Sequence, residues 1–130
     1  MSTEANKALV RSFLEGAWNR GDMAIIEKTL SPDYITHESL AAGHPPGPEL
    51  YKQTVSQYRT AFPDLHTTIE DLIAEGDQVV VRGTDRFTRS SEMQGMPATR
   101  QQVTVSWIGI YRIVGSQIVE QWLHSETLPA

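Results

Sequence analysis

The chain predicts an α+β fold, with three N-terminal helices packed on a strongly curved antiparallel sheet in a single domain spanning 1–130. Three observations predict it. Apolar residues recur at helical spacing up to Phe62 and not beyond. From residue 65 onward, β-branched and aromatic residues dominate and Gly-containing turns punctuate them. The stretch 102–124 reads as two long strands joined at Gly115-Ser116, a tight hairpin turn. In the first of these strands Val105, Trp107, Gly109 and Tyr111 share one face, and Thr104, Ser106, Ile108, Ile110 and Arg112 the other. A strand apolar on both faces is covered on both, so the hairpin belongs in mid-sheet.

The helices come first in the chain. Leu9, Val10, Phe13, Leu14, Ala17 and Trp18 form one stripe, stopped at Asn19-Arg20-Gly21 with Gly21 suited to a left-handed conformation. Asp22 is a natural N-cap for a second helix running to Leu30, packed by Ile25, Ile26 and Leu30 and ended by Ser31-Pro32. Tyr34 to His37 is a short extended segment. Residues 39–48 are loop, rich in Pro and Gly, and Pro48 opens a third helix striped by Tyr51, Val55, Tyr58 and Phe62. Strands follow at 65–74 and 78–90, with Gly76-Asp77 between them and a connection at 92–100 before the hairpin.

Composition narrows the function. Eleven Lys and Arg against sixteen Asp and Glu give a net charge of −5 with no basic run, which argues against nucleic acid and anionic membrane as partners. The absence of cysteine removes disulfides, thiolate nucleophiles and Cys-based metal sites. The four His lack metal-ligand spacing, so no metal site is expected, and no nucleophile-elbow, phosphate-loop or dinucleotide motif occurs. No apolar signal core or membrane-length stretch is present, and a soluble cytoplasmic protein is the default expectation.

Seven short pieces in order carry a resemblance: Trp18-Asn19-Arg20-Gly21-Asp22, Tyr34-Ile35-Thr36-His37, Phe62-Pro63-Asp64-Leu65, Glu75-Gly76-Asp77, Gly95-Met96-Pro97-Ala98-Thr99, Tyr111-Arg112 and Ile118-Val119-Glu120-Gln121-Trp122. Together they resemble the SnoaL-like polyketide cyclases of the nuclear-transport-factor-two-like superfamily. The resemblance implies a cone-shaped barrel around a mostly apolar pocket, a small-molecule ligand, no cofactor, and often a homodimer through the outer sheet face. It does not choose the reaction, because the superfamily holds cyclases, isomerases, dehydratases, hydrolases, hydroxylases and plain binding proteins. The chain departs from the cyclase pattern at three positions. The family His two residues before the aromatic-Arg pair is Gly109, the family Asp after Glu-x-Trp is Leu123, and a third family His is Arg89. Neither Gly109 nor Leu123 can carry a proton, and Gly109 should leave the pocket wider where an imidazole would stand.

The resemblance makes His37 the candidate general acid or base, at a position whose side chain enters the pocket. His44, His66 and His124 read as solvated or surface residues. Gln121 shares the parity of Leu123, and a buried amide there calls for a carbonyl partner. Gln121 and Tyr34 would orient a substrate carbonyl, Tyr58, Phe62, Met96 and Trp107 would form the wall, and Tyr111 and Leu123 would face the cavity. Met93 and Met96 would make an adaptable lid over an apolar ligand or simply fill gaps. Arg82 and Arg89 lie on one strand with Arg86 and Asp85, and the sequence leaves open whether the arginines face the cavity or solvent. Ile108, Ile110, Ile118 and Trp122 fall on the opposite parity, enough apolar surface to expect a homodimer. The reading that emerges is a cofactor-independent enzyme moving protons on an apolar, carbonyl-bearing substrate, the alternative being a non-catalytic binder of the same fold.

Overall fold

A computed structural model describes residues 2–37, 43, 45–89 and 101–125, with only the backbone described at Arg89 and Gln101. Among these residues three α-helices pack on one face of a five-stranded mixed sheet. Helix α1 spans Thr3–Leu14 and is capped by Ser2, whose hydroxyl accepts from the Ala5 N–H at 3.0 Å. The chain then widens into a π-helical turn, Glu15–Asn19, where a continuous α-helix was expected. Gly21 follows at φ 64°, and Asp22 caps helix α2, Met23–Thr29, accepting from the Ile25 N–H at 3.2 Å. Helix α3 spans Glu49–Ala61, with Pro48 at its N-cap.

The strands are β1 Leu30–Thr36, β2 His66–Glu75, β3 Gln78–Arg89, β4 Gln101–Val114 and β5 Gln117–Ser125, ordered β1-β5-β4-β3-β2. The hairpin β4–β5 lies inside the sheet, as its two-sided apolar pattern requires. Gly115 (φ 56°) and Ser116 (φ 66°) both take the left-handed conformation that a two-residue turn between right-twisted strands needs. Three expectations are corrected. Ser31-Pro32 does not close the second helix but lies within β1, and β1 pairs parallel to β5, so the sheet is mixed rather than wholly antiparallel. Proline is tolerated there because β1 is an edge strand and its register shifts between Leu30 and Ile35. Ile118 is also not on the outer face. A bulge between Arg112 and Ile113 sets Ile113 opposite Ile118 and leaves Val119 as the extra residue, which turns Ile118 fully into the core.

The core lies between the helices and the inner sheet face. Val10, Phe13, Leu14, Ala17 and Ile26 from the helices meet Val79, Val81, Tyr111, Ile113 and Ile118 from the strands. A second cluster, Phe62, Leu65, Phe87 and Val103, closes the other end, with the Phe62 and Phe87 rings 4.2 Å apart. None of the described helices is long and apolar enough to cross a membrane.

Candidate functional site

Strand β3 sends alternate residues inward, and four of them are apolar or small: Val79, Val81, Gly83 and Phe87. Between the last two stands Asp85, a carboxylate on the apolar parity. Its Oδ1 accepts from the Thr67 hydroxyl on β2 at 2.8 Å and from the Trp107 indole N–H on β4 at 3.0 Å. Burial raises the Asp85 carboxyl above its ordinary value, and these two hydrogen bonds pull the other way without cancelling it. No charged side chain among the described residues contributes to that shift.

The indole reaches Asp85 because Gly83, directly opposite Trp107, has no side chain. A Cβ built at Gly83 would lie 2.3 Å from Trp107 Cζ2, so the ring lies flat over the glycine. Thr67 is held in turn from the π-helical turn. Asn19 Oδ1 accepts from the Thr67 N–H at 2.7 Å, and Asn19 Nδ2 donates to the Thr67 carbonyl at 3.0 Å. That explains four residues of the Trp18-Asn19-Arg20-Gly21-Asp22 piece. Trp18 donates its indole N–H to Tyr51 Oη at 2.7 Å, Asn19 clamps β2, Gly21 makes the bend and Asp22 caps α2. Asp64 of the Phe62-Pro63-Asp64-Leu65 piece is structural. It accepts from the Thr88 N–H at 3.0 Å and the Thr88 hydroxyl at 2.6 Å, bonds that hold its carboxyl below the usual value.

Trp107, Tyr111, Gln121 and Tyr34 are all buried on the inner side, Phe62 lies in the second core cluster, and Leu123 is half-buried beside the core. Tyr58 is 39% exposed, its ring 6.0 Å from Trp18 and 6.2 Å from Phe62, at the rim rather than inside. Met96, with Met93 and His44, lies outside the described residues. Gly109 does not widen the interior. The Tyr111 ring folds back over it, and a Cβ there would lie 2.9 Å from Tyr111 Oη, so a phenol fills the space expected for the missing imidazole.

His37 faces the other way from the position expected for it. Its ring stacks on Trp122 at 4.8 Å and 11°, and its Nε2 lies 2.7 Å from Glu120 Oε2. Glu120 pairs across the sheet with Arg112 and Trp122 with Ile110, on the face opposite Tyr111 and Gln121. The reason is parity: in the β1–β5 pairing Thr36 stands beside inward Gln121, so His37 is the next residue outward. Arg112 Nε donates to Glu120 Oε1 at 2.8 Å, and these partners hold the Glu120 carboxyl below its usual value, Arg112 most and His37 next. Arg82 is likewise on the outer face, donating to Asp71 Oδ2 at 2.6 Å, and of Arg89 the structure gives only the backbone. Among the described residues no group of three or more His, Asp or Glu is placed to hold a metal ion.

Sequence reasoning passed over Asp85, Thr67 and Asn19. The signal that could have found the first is its parity, a lone carboxylate in a run of inward apolar positions. Nothing in the sequence marks a π-turn, so the Asn19 clamp had no signal.

The pattern of the SnoaL-like polyketide cyclase family matches residues 8–130. No curated protein sequence matches the chain significantly. Among solved structures, AclR of Streptomyces galilaeus, a proposed hydroxylase, is 29% identical with a TM-score of 0.81, over 96% of this chain and 81% of that one. IdmH of Streptomyces antibioticus, a proposed polyketide cyclase, is also 29% identical with a TM-score of 0.81, over 93% and 91%. A proposed polyketide cyclase of Acidithiobacillus ferrooxidans is 26% identical with a TM-score of 0.83, over 97% and 92%. The helices on a five-stranded mixed sheet match the nuclear-transport-factor-two-like fold of these neighbours. With nearly its whole length matched, the chain belongs to the SnoaL-like polyketide cyclase family.

Proposed function

We propose that the protein is a small-molecule enzyme of the polyketide-cyclase type that moves a proton at the carbon beside a carbonyl of an apolar substrate, without a cofactor. The observation that carries this reading is Asp85, a part-buried carboxyl on the inner face, held by two neutral donors and, among the described residues, countered by no cation. A carboxyl with a raised proton affinity is a stronger base when ionised and holds its proton to higher pH than an ordinary carboxyl. As base it would take the α-proton of the substrate. The resulting enolate carbon would bond to a second carbonyl carbon, and the alkoxide so formed would take the proton back from Asp85. Gln121 and Tyr34 would orient the reacting carbonyl, Tyr111 and Leu123 would shape the cavity beside it, and Trp107 and Phe62 would form its walls, with Tyr58 at the rim.

The filled space over Gly109 and the apolar Leu123 favour a second reading, a binder that does not turn its ligand over. One pair of measurements separates the two. Ring closure of an aromatic polyketide ester should be catalysed by the wild type and fall about 10²–10⁴-fold in Asp85→Asn. Binding of the same ester, followed by tryptophan fluorescence, should persist in that variant. Binding without turnover by the wild type supports the second reading.

The same proposal includes a homodimer through the outer sheet face and a cytoplasmic location. Ile73, Val80, Ile110 and Trp122 are successive cross-strand partners, which makes an apolar row across four strands. Arg112, Glu120 and His37 flank it on one side, and Asp71 with Arg82 on the other. Each flank carries both signs, so a two-fold copy can meet it with opposite charges.

A further inference from the structure

We propose that Oδ2 of Asp85 is the proton-exchanging atom of the site, and that Thr67, clamped by Asn19, is the positioning residue that keeps it so. This rests on the reading of the inner face as a proton-transfer site and goes beyond it to the atom and its control. Both donors converge on Oδ1: the Thr67 hydroxyl at 2.8 Å from one neighbouring strand and the Trp107 indole at 3.0 Å from the other. Among the described residues no donor reaches Oδ2. A carboxylate bound at one oxygen from both flanks has its plane fixed, and proton exchange falls to the other oxygen. A proton resting on Oδ1 would compete with two donors already aimed at its lone pairs, so protonation there would displace at least one of them.

Thr67 sets the geometry because its backbone is itself fixed. Asn19 bonds both its N–H and its carbonyl, at 2.7 and 3.0 Å, in the manner of an added strand rung supplied by a side chain. The clamp comes from the π-helical turn Glu15–Asn19, an irregularity that a plain α-helix would not require. The hydroxyl is thereby a donor of fixed direction. A donor so fixed stabilises the ionised carboxylate specifically and opposes the effect of burial. Among the described residues the groups facing Asp85 are all neutral. Thr67 stands on β2, Trp107 and Val105 on β4, and Gly83 and Phe87 flank Asp85 on β3, while Arg86 and His66 pair with one another on the outer face.

The test titrates the Asp85 carboxyl by carbon-13 NMR of the ligand-free protein, assigned by its disappearance in Asp85→Asn. It is paired with the pH dependence of kcat on the polyketide ester. In Thr67→Val, which keeps the volume and loses the donor, the midpoint should move to higher pH, and the rising limb of kcat should move with it. Below that limb the rate should drop roughly threefold to tenfold while KM stays within twofold. Thr67→Ser should restore both. Trp107→Phe, which removes the other donor to Oδ1 without touching Thr67, should move the midpoint in the same direction and serves if Thr67→Val does not fold. An unmoved midpoint in the folded variants, or a loss of kcat at every pH with no displacement of the limb, overturns the positioning role. The proton-transfer reading itself fails separately, if Asp85→Asn keeps full turnover.

Discussion

Asp85 is the residue where stability and function pull apart. Its carboxyl is raised in the fold relative to the unfolded chain, so the native state gains proton affinity at this site. A group raised in this way favours the fold most below its unfolded value, and that contribution is lost as pH climbs through the folded one. Above its unfolded value Asp85 therefore weakens the fold relative to acid pH. Asp85→Asn keeps an Oδ1 acceptor for Thr67 and Trp107 and removes the charge, so its melting temperature at neutral pH should exceed that of the wild type. The difference should shrink on acidification, and calorimetry at both pH values checks it. His37 has the opposite character. It is 40% exposed at the side chain and lies on the outer face with Glu120 and Trp122, so His37→Ala should leave kcat within about threefold. Its surface ion pair and ring stack together contribute roughly 1 kcal/mol to stability. A loss of kcat beyond a hundredfold in His37→Ala would put the catalytic group on the other side of the sheet.

Among the elements, β3 and β4 carry the site through a complementary pair, Gly83 and Trp107. Gly83→Ala forces a methyl into the indole at 2.3 Å, so the ring must move and the bond to Asp85 at 3.0 Å must lengthen or break. Overpacking of this kind costs about 1–3 kcal/mol, and the variant should show both a lowered melting temperature and altered tryptophan fluorescence. The hairpin was legible because its chemistry is local. Gly115-Ser116 marks the turn, and alternation along Val105, Trp107, Gly109 and Tyr111 marks the inner face. The inward turn of Ile118 was not legible, because a bulge adds one residue without changing any residue type. Parallel pairing of β1 was hidden by Pro32, which reads as a helix stop and serves as an edge-strand residue. His37 was misplaced by one step of parity, the distance that reverses a strand residue from one face to the other. The filling of the space over Gly109 depends on the Tyr111 rotamer, which follows from tertiary packing rather than from local sequence.

At the scale of the molecule, the helices cover one face of the sheet and leave the other with its row of Ile73, Val80, Ile110 and Trp122. Ile73 is 63% exposed and Ile108 beside the row is 49% exposed. Light scattering should therefore give about twice the 14.5 kDa chain mass, and Ile110→Asp, which sets a charge in mid-row, should halve it. A monomeric wild type across micromolar concentrations would remove the dimer. The proposed chemistry lies on the inner face, and proton transfer there can be measured without ring closure. The direct measurement is the exchange of α-protons of a β-keto ester for deuterium in heavy water, followed by proton NMR with and without the protein. The wild type should accelerate exchange above the buffer rate, and Asp85→Asn should lose about 10²–10⁴-fold of that acceleration while still binding the ester. Exchange by Asp85→Asn as fast as by the wild type would contradict the assignment of proton transfer to the inner face of β3.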